Sequence, residues 1–139
     1  MNLTRFGVSL PADLLQKFDN LIQEKGYSNR SEALRDLIRA HLVHQELAAD
    51  EEVVGTLTLI YDHHVPDLDL KMKTTQHDYY QNILSNLHFH LDHDNCLEVI
   101  VLRGRFSLIR SIADRLIGMR GVKHGQLAFT STGKNLPGY

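Results

Sequence analysis

The spacing of apolar residues changes character several times along the chain. Phe6, Val8 and Leu10 alternate with Arg5, Gly7 and Ser9, the two-residue period of a strand, which predicts a strand over Thr4 to Leu10. Pro11 fits the first turn of a helix, and Leu14, Leu15, Phe18, Leu21 and Ile22 then fall on one helical stripe. Gly26 is placed to end that helix in the left-handed conformation. A second helix is predicted from about Asn29, where Asn29 and Glu32 have capping-box spacing, and Leu34, Leu37, Ile38, His41 and Leu42 continue it. One strand and two helices within residues 1–47 cannot bury this much apolar surface, so the segment is expected to dimerise.

Residues 48–52, Ala-Ala-Asp-Glu-Glu, read as a linker, with the frayed end of the second helix as the alternative. Residues 53–139 make a second domain in which element types alternate. A strand is predicted over Val53 to Tyr61, a weakly periodic helix over Pro66 to Ile83, and strands over Leu84 to Asp92 and Cys96 to Leu102. His93-Asp94-Asn95 forms the hairpin turn between the last two. A helix over Phe106 to Met119, with Leu108, Ile109, Ile112, Ala113, Leu116 and Ile117 on one stripe, precedes a strand over Val122 to Thr130 and a loose tail. The order β-α-β-β-α-β is the ferredoxin-like arrangement, so the fold class is α+β.

Composition narrows the chemistry. A hydrophobic fraction of 42% with 23% charged residues describes a globular domain. No apolar run reaches the roughly 18–20 residues that cross a bilayer, and the N-terminus lacks a secretion signal, so a cytoplasmic location is expected. The net charge of −2 gives no general attraction to nucleic acid, and in the first segment Arg5, Lys17, Lys25, Arg30, Arg35 and Arg39 are matched by acids. Any DNA contact has to come from a few placed residues.

One cysteine, Cys96, excludes an intramolecular disulfide, and six of the nine histidines lie between His63 and His93. In Leu87-His88-Phe89-His90-Leu91-Asp92-His93-Asp94-Asn95-Cys96, strand alternation puts His88 and His90 on one face. Phe89 and Leu91 then point to the other face, where a core is expected. Cys96 opens the antiparallel neighbour and can come beside both imidazoles. Two nitrogens and a sulfur suit a borderline or soft transition metal. His77, on the first helix of this domain, is a candidate fourth ligand, although periodicity alone favours an exposed helix histidine. Tetrahedral sites of this kind suit zinc and square-planar ones Ni(II) or Cu(II); spacing does not separate them.

With these residues in view, the chain resembles the nickel-responsive regulators of the NikR family across nearly its whole length. The shared runs are Gly26-Tyr27-Ser28-Asn29-Arg30-Ser31-Glu32-Ala33, Thr75-Gln76-His77, Leu87-His88-Phe89-His90, Asp94-Asn95-Cys96-Leu97-Glu98 and Arg120-Gly121-Val122-Lys123. The resemblance implies a ribbon-helix-helix (βαα) segment joined to a ferredoxin-like domain of the ACT type. It implies a homotetramer, a dimer of dimers, with ribbon-helix-helix dimers flanking a central core. It also implies one square-planar Ni(II) per subunit, held by His88, His90 and Cys96 of one chain and His77 of a neighbour. Cys96 would bind as thiolate, making affinity pH-dependent. His93 and Glu98 are candidates to support the site by hydrogen bonding, His93 also as a ligand in another metal form. His63 and His64 are candidates for secondary, weaker metal binding, with a solvated loop as the plainer reading. Glu32 and Asp36, four apart on one helix face, match positions that join a hard-cation site in the family; solvent exposure or pairing with Arg35 and Arg39 reads equally well.

The family's function, as implied, is transcriptional control of nickel uptake or use, as a repressor that binds operator DNA when nickel is present. Paired N-terminal strands would enter the major groove with Arg5, Gly7 and Ser9 toward the base edges. Gly7 departs from the hydroxyl residue common there, so a different operator sequence is expected. Asn29 and the start of the second helix would hold a phosphate, with Arg30 adding charge. Two competing readings are a metalloenzyme, which needs an open coordination position, and a regulator whose ACT-type domain senses a metabolite.

Overall fold

The computed structural model describes residues 2–137; Met1 and the last two residues of the expected tail, Gly138 and Tyr139, lie outside the described residues. Two compact units divide between His44 and Gln45.

In the N-terminal unit, α1 spans Ala12–Lys25 and begins directly after Pro11, with Asp13 favourably placed in its first turn. Gly26 ends it at φ 75°, and the Tyr27 N–H reaches back to the Ile22 carbonyl at 3.1 Å, closing the helix as a Schellman motif. The second helix, α2, spans Arg30–Ala48. The Asn29 side-chain oxygen accepts the Glu32 N–H at 2.9 Å, and the Glu32 carboxylate accepts the Ser28 N–H at 3.3 Å, a reciprocal cap. The predicted strand over Thr4 to Leu10 is not a strand in the single chain. The segment has no regular structure and is exposed throughout, Phe6 at 71%. Alternation supplies the right faces, but a strand needs a hydrogen-bonded neighbour and this unit offers none. Ala33 is the unit's one buried residue among those described.

The C-terminal unit, Gln45–Lys134, runs β1 (Glu52–Asp62), α3 (Leu68–Asp78), β2 (Ile83–His90), β3 (Asn95–Arg105), α4 (Phe106–Ile117) and β4 (Val122–Ser131). The strands form one antiparallel sheet in the order β2-β3-β1-β4. One sheet face is buried: Leu57, Leu59 and Tyr61 of β1 with Cys96, Ile100 and Leu102 of β3. Leu68 and Met72 of α3 and Ile109, Ile112, Ala113 and Leu116 of α4 pack against it. Gly55 lets α4 lie close, since a Cβ there would meet Ile109 at 2.9 Å. Asp50, within the expected linker, accepts the N–H and hydroxyl of Ser107 at 2.7 and 2.8 Å and so caps the start of α4.

Two expectations are corrected here. The helix predicted over Pro66 to Ile83 spans only Leu68–Asp78. Asp67 takes a left-handed φ of 64° that keeps it outside the helix. Asn82 is claimed by β3: its amide donates to the Arg103 carbonyl at 3.0 Å, and its own carbonyl accepts the Arg103 N–H at 2.7 Å. Ile83 pairs with Leu102 in the sheet. The second correction concerns β2. His88 pairs with Glu98 and His90 with Cys96, and directly paired residues share a face. The histidines therefore stand on the helix-covered side, while Leu87, Phe89 and Leu91 face outward, Phe89 being 48% exposed. Alternation defines two faces without saying which one the chain's own helices cover.

Candidate metal centre

The hairpin of β2 and β3 places the sulfur beside an imidazole. Its turn is fixed by Asp92, whose carboxylate accepts the N–H groups of Asp94 and Asn95 at 2.9 and 2.8 Å and the Asn95 amide at 3.0 Å. The Asn95 amide and those backbone donors hold the Asp92 carboxyl below its ordinary range. The resulting register sets His90 opposite Cys96, with Nδ1 at 3.4 Å from Sγ.

His63 comes to the same sulfur, its Nδ1 3.3 Å from Sγ. Tyr61 pairs with Cys96 across β1 and β3, so the chain leaving β1 emerges next to the thiol. One ligand atom each from His63, His90 and Cys96 lie within 4.8 Å of one another. Two imidazole nitrogens and a sulfur at this spacing fit a borderline divalent ion such as Ni(II). Burial pushes the Cys96 thiol above its ordinary value, and Asp69, Asp62 and Asp92 push the same way. A metal bound there would have to displace the thiol proton.

His88, expected beside the sulfur with His90, lies outside that cluster, its ring centroid 5.1 Å from that of His90. Its Nε2 is 3.3 Å from the Tyr61 hydroxyl. Burial, then Glu98, Asp69 and Cys96, push the Tyr61 hydroxyl well up, so it stays protonated and able to donate. Glu98 is only 7% exposed. Its carboxylate accepts from the Gln76 amide at 3.2 Å and the Asn86 amide at 3.4 Å. Burial raises the Glu98 carboxyl, while His88 and the two amides oppose that rise. Tyr61, Asp69, Met72, Lys73, His88 and Glu98 line a small cavity of about 60 Å³. Sequence reading reached Glu98 but not Tyr61, Gln76 or Asn86, whose roles depend on strand order and on which way α3 faces.

The remaining candidates fall elsewhere. His77 is exposed on α3, its ring stacked near Tyr80 at 6.3 Å, and belongs to neither histidine cluster. His64 and His93 meet at a second cluster with Asp94. In the N-terminal unit, Arg5, Gly7 and Ser9 are exposed. Asn29 spends its side chain on the helix cap, and Arg30 makes a two-pronged ion pair with Asp19, both contacts at 2.9 Å. Asp36 accepts from Arg39 at 2.7 Å, while Glu32 serves the α2 cap.

Among the described residues no helix is long and apolar enough to cross a membrane. Residues 4–45 match the ribbon-helix-helix proteins of the copG family, and residues 54–130 match the NikR C-terminal nickel binding domain. A relative from Solibacter usitatus named as a nickel-responsive regulator is 56% identical over 135 residues, covering 96% of this chain and 97% of its own. One of the same name from Geobacter sulfurreducens is 57% identical over 133 residues, covering 95% and 96%. Among solved structures, an uncharacterised protein of Thermotoga maritima aligns with a TM-score of 0.53 at 15% identity, covering 58% of this chain and all of its own; that likeness speaks to the fold alone. With both domains matched and relatives of this identity over nearly the whole chain, the protein belongs to the NikR family of nickel-responsive regulators, which are transcription regulators rather than enzymes.

Proposed function

We propose that this chain binds operator DNA when Ni(II) occupies a site shared between subunits, and thereby represses genes for nickel uptake or use. The observation that carries the reading is the β2–β3 register, which sets His90 against Cys96 with His88 one pair away on the same face. His88, His90 and Cys96 would hold the ion from one chain, one ion per subunit, which requires His88 to turn from the Tyr61 hydroxyl and take the place of His63 beside the sulfur. His77, exposed on α3, would complete it from a neighbour in a homotetramer. When bound, the ion would supply a link between two chains.

The chain's own residues prepare that link. Cys96 gives up a proton on binding. Tyr61, 3.3 Å from His88 Nε2, would bias its ring orientation and tautomer, as hydrogen-bond partners of ligating imidazoles do, and Glu98 would act on the same ring through its charge. Because the link spans two chains, its free energy differs between quaternary arrangements, and only such a difference shifts an equilibrium.

DNA would be met by the segment carrying Arg5, Gly7 and Ser9, paired with its copy as a ribbon. Asn29 and the α2 N-terminus would sit at a phosphate, and Arg30 would have to share its charge between Asp19 and DNA. The cytoplasm is where such a regulator would act. The test is a gel-shift titration of the full chain with DNA from upstream of its own gene and of adjacent transport genes. Binding that rises with added Ni(II) and is abolished by chelation is expected. Equal binding with and without nickel would remove the sensor role.

A further inference from the structure

The turn between α1 and α2 is crossed by a bridge that neither helix cap requires. Arg30 Nε and Nη2 donate to the two Asp19 carboxylate oxygens, each at 2.9 Å. Asp19 lies in the middle of α1 and Arg30 at the first position of α2. Gly26 and the Asn29 cap already fix the turn between them. Both side chains are accessible, Arg30 at 61% and Asp19 at 36%, and exposed ion pairs add little to stability. Hydrogen bonding to Arg30 holds the Asp19 carboxyl below its ordinary value, so it is charged at neutral pH. A guanidinium carries its N–H donors in a rigid plane. Pairing through Nε and Nη2 uses one edge and leaves the Nη1–Nη2 edge, a second fork whose direction the first one fixes.

We propose that Asp19 is a positioning residue for DNA: it holds the Arg30 guanidinium by one edge so that the other edge is already set for a backbone phosphate when the duplex arrives. The proposal rests on the DNA-binding reading above. An arginine fork matches two phosphate oxygens, which the point charge of a lysine does not. A side chain free on the surface loses its rotamer freedom on binding, whereas one ordered beforehand has already lost it. Phosphate contacts set the register of a protein on the duplex, so a fixed Arg30 steadies the register at which Arg5 and Ser9 meet base edges. Charge alone makes the opposite forecast. Asp19 is an anion near a polyanion, and removing it should tighten binding. The sign of the change therefore separates orientation from net charge.

The test is a gel shift with the nickel-loaded full chain, on the upstream fragment that shifts in the nickel titration and on an unrelated duplex of equal length. Asp19→Ala puts a better helix former inside α1, so folding is not at risk. It should weaken binding to the upstream fragment roughly three- to tenfold and leave binding to the unrelated duplex equal or tighter. Arg30→Lys keeps the charge and loses the fork, and should weaken binding to the upstream fragment similarly. Adding Asp19→Ala to it should cost nothing more. Unchanged or tighter binding of the upstream fragment by Asp19→Ala overturns the proposal. So does equal weakening on both duplexes, or the same further loss in the Arg30→Lys background. If wild type binds the fragment equally with and without nickel, the sensor reading fails and the Asp19 comparison is read without metal. If wild type shifts no fragment, both readings fail.

Discussion

The two units bury themselves in opposite ways. The C-terminal unit closes a core from one chain, with Leu57, Leu59, Ile100, Leu102, Ile109 and Leu116 fully buried between sheet and helices. The N-terminal unit hides Ala33 and leaves Phe6, Val8, Leu14, Leu37 and Ile38 in the open. Its helices are well capped, so local signals are not what it lacks. It lacks a second apolar surface, which for a βαα segment of this length has to come from another chain. The metal-binding unit can thus hold its hairpin as a monomer, while the DNA-facing unit depends on association.

That contrast can be broken at several points. The largest effect is expected from Phe6→Asp, which places a charge on the face a paired ribbon would bury. Operator binding should be lost at every nickel concentration while the nickel absorption spectrum is unchanged; a variant that still shifts DNA would refute the obligate ribbon. Leu57→Ala strikes the self-sufficient unit and should cost about 2–5 kcal/mol in urea unfolding, whereas Leu37→Ala, half exposed in the single chain, should leave that unit's transition in place. Glu98→Gln keeps the shape but removes the charge paired across the strands with His88, and should weaken nickel binding roughly 10-fold, the low end for groups that support a ligand from outside. A competition titration with a coloured chelator would measure it, and an unchanged constant would strip Glu98 of its positioning role.

The smallest effect is expected at the cap of α4. Bonds from the Ser107 N–H and hydroxyl hold the Asp50 carboxyl below its ordinary value. A depressed folded-state value stabilises the protein above the unfolded value and loses that contribution as pH falls through the folded one. Asp50→Asn should therefore lower the melting midpoint by a few degrees near neutral pH. The difference from wild type should shrink below about pH 4, where the unfolded carboxyl titrates. A difference constant from pH 3 to 7 would contradict the assignment.

Much of this was legible in residue order because the signals are local. Gly26 closes α1, Asn29 and Glu32 open α2, and β1, β3 and β4 fall within a few residues of the apolar alternation that predicts them. What escaped depends on distant partners. The end of α3 is decided by Asn82 bonding to Arg103, twenty-one residues away. The side on which His88 and His90 stand is decided by which face of β3 the helices cover. His63 reaches Cys96 only because β1 lies beside β3 in the sheet. The strand of the N-terminal segment was readable as a pattern, yet the single chain supplies no neighbour for it to pair with.

The near-ultraviolet absorption of the nickel-loaded chain, wild type against Cys96→Ala, tests the central claim most directly. A sulfur-to-nickel charge-transfer band in wild type that vanishes in the variant is the predicted result. Identical spectra from the two proteins would show that the Cys96 thiol does not hold the ion.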